Sequence, residues 1–196
     1  MPYVVRQPTL VTDFSSTTGM TLTQGTGSVA LDTDPTKRTV GSASLKISQP
    51  ASASSALVDL DIRNAAFGGT GSDGFSAFAD NMWHLRSFIE DPANQNTVSL
   101  FLSNDAAGFA NYFAATVAAA QISTNAAWKN ATWDRGEGRA DWTTGAGSPS
   151  WSTTIKTIRI RPAANANGTL VTWLDALYRG GYARPKILIV FDDSND

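Results

Sequence analysis

The side chains able to do chemistry here are few and widely spaced. The sequence holds one histidine, His84, and no cysteine. Disulfides, thiolate metal sites and cysteine nucleophiles are therefore excluded together. A Ser-His-Asp apparatus could assemble only around His84, and a metal site built on two histidines cannot form. His84 shares the segment Met82 to Ile89 with Arg86 and Phe88, a set whose polar groups could bond ligand hydroxyls while the ring stacks. Six tryptophans supply further ring faces, although most tryptophans in a sheet protein belong to the core. Trp142 and Trp151 flank the loop Gly145 to Pro149 and are the two expected to be exposed. A pair of adjacent carboxylates, Asp192-Asp193, follows the apolar run Ile187 to Phe191; it reads either as a solvated acidic tail or as a functional pair delivered by a buried strand.

The elements that position these residues follow from composition and alternation. The 196 residues are 42% hydrophobic and 16% charged, with 16 Gly and 8 Pro, enough chain for one ordinary domain with a real core. A net charge of −2 lacks the broad basic surface that nucleic-acid binding needs. No run of eighteen apolar residues exists to insert into a membrane, and the opening MPYVVRQPTL lacks the pattern of a signal peptide. Period-two alternation recurs at Ser28 to Asp32, Ser42 to Ser48, Ala56 to Ile62, Met82 to Ile89, Val98 to Leu102, Thr157 to Arg161 and Leu170 to Tyr178. The Ala-rich stretch Ala114 to Ala120 is read as a strand for want of a helix cap. Eight to ten strands are expected, hence an all-β fold of two packed antiparallel sheets. On Met82 to Ile89, His84, Arg86 and Phe88 face away from Trp83, Leu85 and Ile89, and the adjoining strands are expected to bring Phe101 and Tyr112 to the same face. The competing reading makes that face a docking surface. Trp173 is expected to be buried, and Trp128 and Trp133 to pack at a sheet edge or bend. Asn130-Ala131-Thr132 fits the N-glycosylation pattern, which carries little weight without a secretory signal.

One compositional break lies after Arg179-Gly180-Gly181, where Tyr182 to Pro185 leads into the apolar run. Such a run suits a strand buried on both faces, so residues 182–196 are read as a linker and the first strand of a second, (β/α) domain.

Two resemblances attach to these residues. Asp13-Phe14, Gly41 to Ile47, Ser103-Asn104-Asp105 with Phe109 to Phe113, and Trp173 to Tyr178 together resemble the jelly-roll carbohydrate-binding modules related to galactose-binding-like domains, over residues 1–181. This resemblance implies a glycan partner, with His84, Arg86, Phe101, Tyr112, Trp142 and Trp151 as candidate contacts. It also implies a structural calcium shared by Asp13 and Asp175. The second, over Lys186 to Asp193, is to the first motif of polysaccharide deacetylases, although Val190 stands where that motif has Thr and Ser194 where it has Gly. It implies Asp192 as general base and Asp193 as ligand of a divalent, zinc-like metal. The two histidines that must complete that metal site are absent, so this chain alone is expected to be non-catalytic.

The sequence thus points to a glycan-binding module ahead of a deacetylase-like domain, extracellular or carried on a phage tail. The alternative is a structural docking or homo-oligomerisation domain of a tail fibre or spike without glycan affinity. A standalone hydrolase using His84 is the weakest reading, since no nucleophile motif accompanies it.

Overall fold

Alternation along Met82–Ile89 is complete: Trp83, Leu85, Ser87 and Ile89 are buried, while Met82, His84, Arg86 and Phe88 are half-buried. That pattern, repeated strand after strand, builds the molecule. The computed structural model describes residues 8–69, 71, 74–76, 82–118, 126–134 and 142–180. Among them are fourteen strands rather than eight to ten: β1 Thr9–Thr12, β2 Met20–Thr23, β3 Ser28–Asp32, β4 Ser44–Gln49, β5 Leu57–Asp61, β6 Phe75–Ser76, β7 Met82–Ile89, β8 Gln95–Ser103, β9 Tyr112–Ala118, β10 Ala127–Asp134, β11 Trp142–Ala146, β12 Thr154–Ile155, β13 Thr157–Ala164 and β14 Leu170–Arg179. The excess comes from short strands, two of them a two-residue pair. The Ala-rich stretch is a strand, β9, as far as Ala118.

Two antiparallel six-stranded sheets form a β-sandwich. The first runs β10-β7-β14-β4-β3, with β1 also paired to β14; the second runs β11-β9-β8-β13-β5-β2. The inward side chains of both sheets share one core. Leu45, Ile47, Leu85, Trp133, Leu174 and Leu177 come from the first, and Val58, Leu60, Val98, Leu100, Ile158 and Ile160 from the second. Each such burial removes apolar surface from water and contributes about 1.5–3 kcal/mol. Gln49, fully buried on β4, ties the sheets together. Its amide nitrogen donates to the carbonyls of Ala56 and Pro162, and its carbonyl accepts from Ala56 N at 3.1 Å.

Residues 181–196, and with them Asp192, Asp193 and the expected second-domain strand, lie outside the described residues. No helix among the described residues is long and apolar enough to cross a membrane.

Candidate functional site

The outer face of the first sheet carries three cross-strand rows. His84 lies between Thr132 of β10 and Tyr178 of β14, Arg86 between Asn130 and Ala176, and Phe88 between Trp128 and Trp173. His84, Arg86, Asn130 and Tyr178, with Thr39 and Val40 from the loop ahead of β4, line a depression of about 620 Å³. His84 Nδ1 is 3.0 Å from Thr132 Oγ1, with the direction of that bond set by the ring tautomer.

The depression depends on a β-bulge. Leu174 faces Ser87 and Ala176 faces Arg86, so Asp175 is the extra residue in β14. A bulge bends its strand and re-aims side chains; here it turns Ala176 and Tyr178 outward and buries the Asp175 carboxylate completely. That carboxylate accepts hydrogen bonds from Thr39 N at 3.0 Å, from Val40 N at 3.3 Å and from the Thr39 hydroxyl. Arg86 Nε lies 3.8 Å from it and donates to Thr39 Oγ1 at 2.6 Å. The guanidinium also reaches Asn130 Oδ1 at 3.4 Å and lies 5.5 Å from the Trp128 ring centroid. A buried charge is tolerated when it is paired and hydrogen-bonded. Asp175 meets that condition, and in meeting it holds Arg86 in place.

These partners do not fit a calcium ion shared with Asp13. Calcium takes six to eight oxygen ligands, whereas both Asp175 oxygens face N–H, O–H and guanidinium donors. Asp13 accepts from Ser15 N at 3.0 Å. Gly41, at φ +68°, packs so close to Asp13 and Ser15 that no β-carbon fits there. No cluster of three or more His, Asp or Glu able to hold a metal occurs among the described residues.

The aromatic row beside the depression is an edge-on cluster. Phe88 is 5.6 Å from Trp128 and 5.7 Å from Trp173. Trp173 is buried, as expected, yet on the outer face. Lys37 and Lys46 cover its ring, and its Nε1 donates to Asp32 Oδ2 at 2.8 Å. That bond is the main reason the Asp32 carboxyl is held below the ordinary carboxylate range. Phe88 and Trp128 remain half-buried.

Phe101 and Tyr112 do not join His84 and Arg86. They are diagonal neighbours on β8 and β9 in the second sheet, Phe101 opposite Ala114 and Tyr112 opposite Ser103, on the opposite face of the sandwich. There the Tyr112 ring lies 5.5 Å from Phe101 and 6.0 Å from Phe109, with Arg159 over Phe109 at 4.0 Å and Arg161 over Phe101 at 4.7 Å. Phe109 has φ +47°, a left-handed conformation that costs an aromatic residue about 1–3 kcal/mol and often marks functional positions. Its loop pins it: Asp105 accepts from Asn111 N at 2.6 Å and from Asn111 Nδ2 at 3.2 Å, and Thr157 donates to the Asp105 carbonyl. The Asn111 bonds, the backbone one first, hold the Asp105 carboxyl below its usual range.

Trp142 and Trp151 are not the exposed pair the sequence suggested. Trp151 stacks on Phe113 at 3.7 Å with planes 7° apart, Trp142 meets Trp151 edge-on at 5.6 Å, and both pack against the core. Trp142 lies opposite Ala115, a core residue, so its strand parity turns it inward.

The sequence reading missed Asn130, Tyr178, Thr39, Phe109, Arg159 and Arg161. The alternation of Thr157 to Arg161 already placed both arginines on one face. Nothing local could place Tyr178, because the bulge shifts the parity of β14.

No known protein family matches the chain, and no curated protein matches it. Solved structures do. The family 11 carbohydrate-binding module from Clostridium thermocellum, in complex with a β-1,3-1,4-mixed-linked tetrasaccharide, is 11% identical over 89% of this chain and 96% of that one, at a TM-score of 0.51. A carbohydrate-binding module of the β-sandwich superfamily is 12% identical over 85% of this chain and 59% of that one, at 0.50. An agarase is 9% identical over 90% of this chain at 0.52, but this chain spans only 25% of it. At these identities the likeness is one of fold: the chain is a two-sheet antiparallel β-sandwich of the kind found in carbohydrate-binding modules.

Proposed function

We propose that this chain is a non-catalytic glycan-binding module that takes an oligosaccharide on the outer face of its first sheet. The observation that carries the reading is the convergence of His84, Arg86, Asn130 and Tyr178 from three adjacent strands on one depression, beside the half-buried rings of Phe88 and Trp128. A saccharide needs polar groups for its hydroxyls and an apolar wall for its ring faces, and this face supplies both. Arg86 is held by Asp175, Thr39 and Asn130 before any ligand arrives, which lowers the entropic cost of binding. The sandwich shared with carbohydrate-binding modules supports the same reading.

The test is retention of the full chain on a panel of immobilised polysaccharides, repeated with Asn130→Ala and Tyr178→Ala. Both positions are on the surface and outside the Gln49 and core contacts. At least one polysaccharide should be retained, and each substitution should weaken retention about tenfold, as for residues that contact ligand directly. Absence of retention across the panel, or retention indifferent to both changes, overturns the proposal.

The finer assignment belongs to the same proposal: an extracellular or phage-borne protein in which Lys186 to Asp193 opens a deacetylase-like domain, with Asp192 as base and Asp193 as metal ligand. It rests on sequence resemblance alone and requires a longer reading frame that supplies a His-x-x-x-His segment. The docking alternative finds support in Leu10 and Leu31, large apolar side chains exposed on β1 and β3. A stable oligomer in sedimentation together with no glycan affinity favours it.

A further inference from the structure

The outer face of the second sheet holds two arginines two residues apart on β13, and their surroundings differ. Arg159 makes a two-pronged ion pair with Asp59, directly across on β5, at 2.7 and 2.8 Å. Arg161 lies opposite Ser99 of β8 and over the Phe101 ring. It is half-buried, and among the described residues it has no carboxylate partner and no hydrogen bond. Loss of water, and then the like charge of Arg159, push its pKa below the usual guanidinium value.

A guanidinium carries five N–H donors and no acceptor. Partly dehydrated, over the Phe101 ring and near the Tyr112 phenol, it has among the described residues no anion of the kind that normally accompanies such a group. The face around it is organised. Tyr112 and Phe109 extend the Phe101 ring into a continuous aromatic strip, with Phe109 held in a strained conformation by its loop. The Ser99 and Thr116 hydroxyls, 3.0 Å apart, lie beside it on β8 and β9.

We infer that Arg161 is the anion-reading group of a second binding face, formed with Phe101, Phe109 and Tyr112, whose ligand is an acidic saccharide bearing a carboxylate or a sulfate. That the ligand is a saccharide rests on the glycan-binding reading above; the face and its residues are distinct from the His84 depression. Guanidinium and carboxylate or sulfate oxygens pair in two parallel hydrogen bonds, while the half-buried Tyr112 ring, backed by the buried Phe101 and Phe109, offers an apolar wall to the sugar. A chain with net charge −2 gives no general attraction for polyanions, so retention of one would need a local site.

The experiment is affinity electrophoresis of the full chain in gels containing polygalacturonate, dextran sulfate or neutral dextran. Wild type is compared with Arg161→Gln, Arg161→Lys, Phe101→Leu and Asn130→Ala, and each variant's melting temperature is measured alongside. One acidic polymer should retard the wild type, and which one identifies the anion. Arg161→Gln should weaken that retardation about tenfold, and Arg161→Lys, which keeps the charge but not the paired geometry, should weaken it less. Asn130→Ala should leave it intact, which separates this face from the first. Retardation by neither acidic polymer, or retardation unchanged in Arg161→Gln, overturns the inference. Should Arg161→Gln unfold, the Arg161→Lys and Phe101→Leu comparisons decide it in the same way: wild-type retardation in both overturns it.

Discussion

Asp175 shows how much one carboxylate can set. It is fully buried, and among the described residues it faces two N–H groups, one hydroxyl and the nearby Arg86 guanidinium. The substitution Asp175→Asn keeps the shape but removes the charge that Arg86 faces. Breaking a buried pair from one side commonly costs 3–5 kcal/mol; because Arg86 remains partly solvated, about 3 kcal/mol is expected, measured as a shift in the urea midpoint with an unchanged slope. From the same donor set we predict independence from calcium. An ion bound at a hundred times its Kd would add about 2.7 kcal/mol of stability, so the melting temperature should be the same in chelator and in added calcium. A rise with calcium would mean that Thr39 and Arg86 had been displaced from the carboxylate.

At the scale of elements, the sandwich is tied across its two layers by Gln49. The substitution Gln49→Met conserves volume but leaves Ala56 N, Ala56 O and Pro162 O without their partner. Stranding a buried backbone group costs about 1–3 kcal/mol, so a loss of about 3 kcal/mol in chemical denaturation is expected; a loss under about 1 kcal/mol would mean that water replaces the amide. The strands on either side of this tie, β4 and β13, were legible in the sequence because Leu45 and Ile47, and Ile158 and Ile160, alternate cleanly with polar residues. β7 was legible to its last residue for the same reason. β10 was not, because Lys129 falls on the same parity as Ala131 and Trp133. β11, rich in threonine, shows little contrast between faces, and β2, although Met20 and Leu22 alternate with threonines, is only four residues long. Missing β10 had a consequence for the site. Alternation is a local property of one strand, whereas sheet neighbours are chosen by distant segments, so His84 and Arg86 could be assigned a face but not its occupants. Asn130 and Tyr178 stand where Phe101 and Tyr112 were expected.

The whole molecule presents two outward faces of different electrostatic character, and salt separates them. On the first, the Arg86 charge faces Asp175 within the protein, and the ligand groups on offer beside it are the Asn130 amide and the Tyr178 hydroxyl. Binding there exchanges neutral hydrogen bonds and ring contacts, which ionic strength hardly touches. On the second, Arg161 has no internal counter-charge among the described residues, so its attraction for an anion acts partly through water and is screened. Raising salt from about 50 mM to about 500 mM shortens the screening length from about 14 Å to about 4 Å. Retardation by the acidic polymer should then fall severalfold, while retention on the neutral polysaccharide stays within a factor of about two. The two dependences are measured on the same preparation, so they need no variant and cannot be confused with misfolding. Equal loss on both would place the ligands on one charged face, and the assignment of separate roles to the two sheets would fail with it.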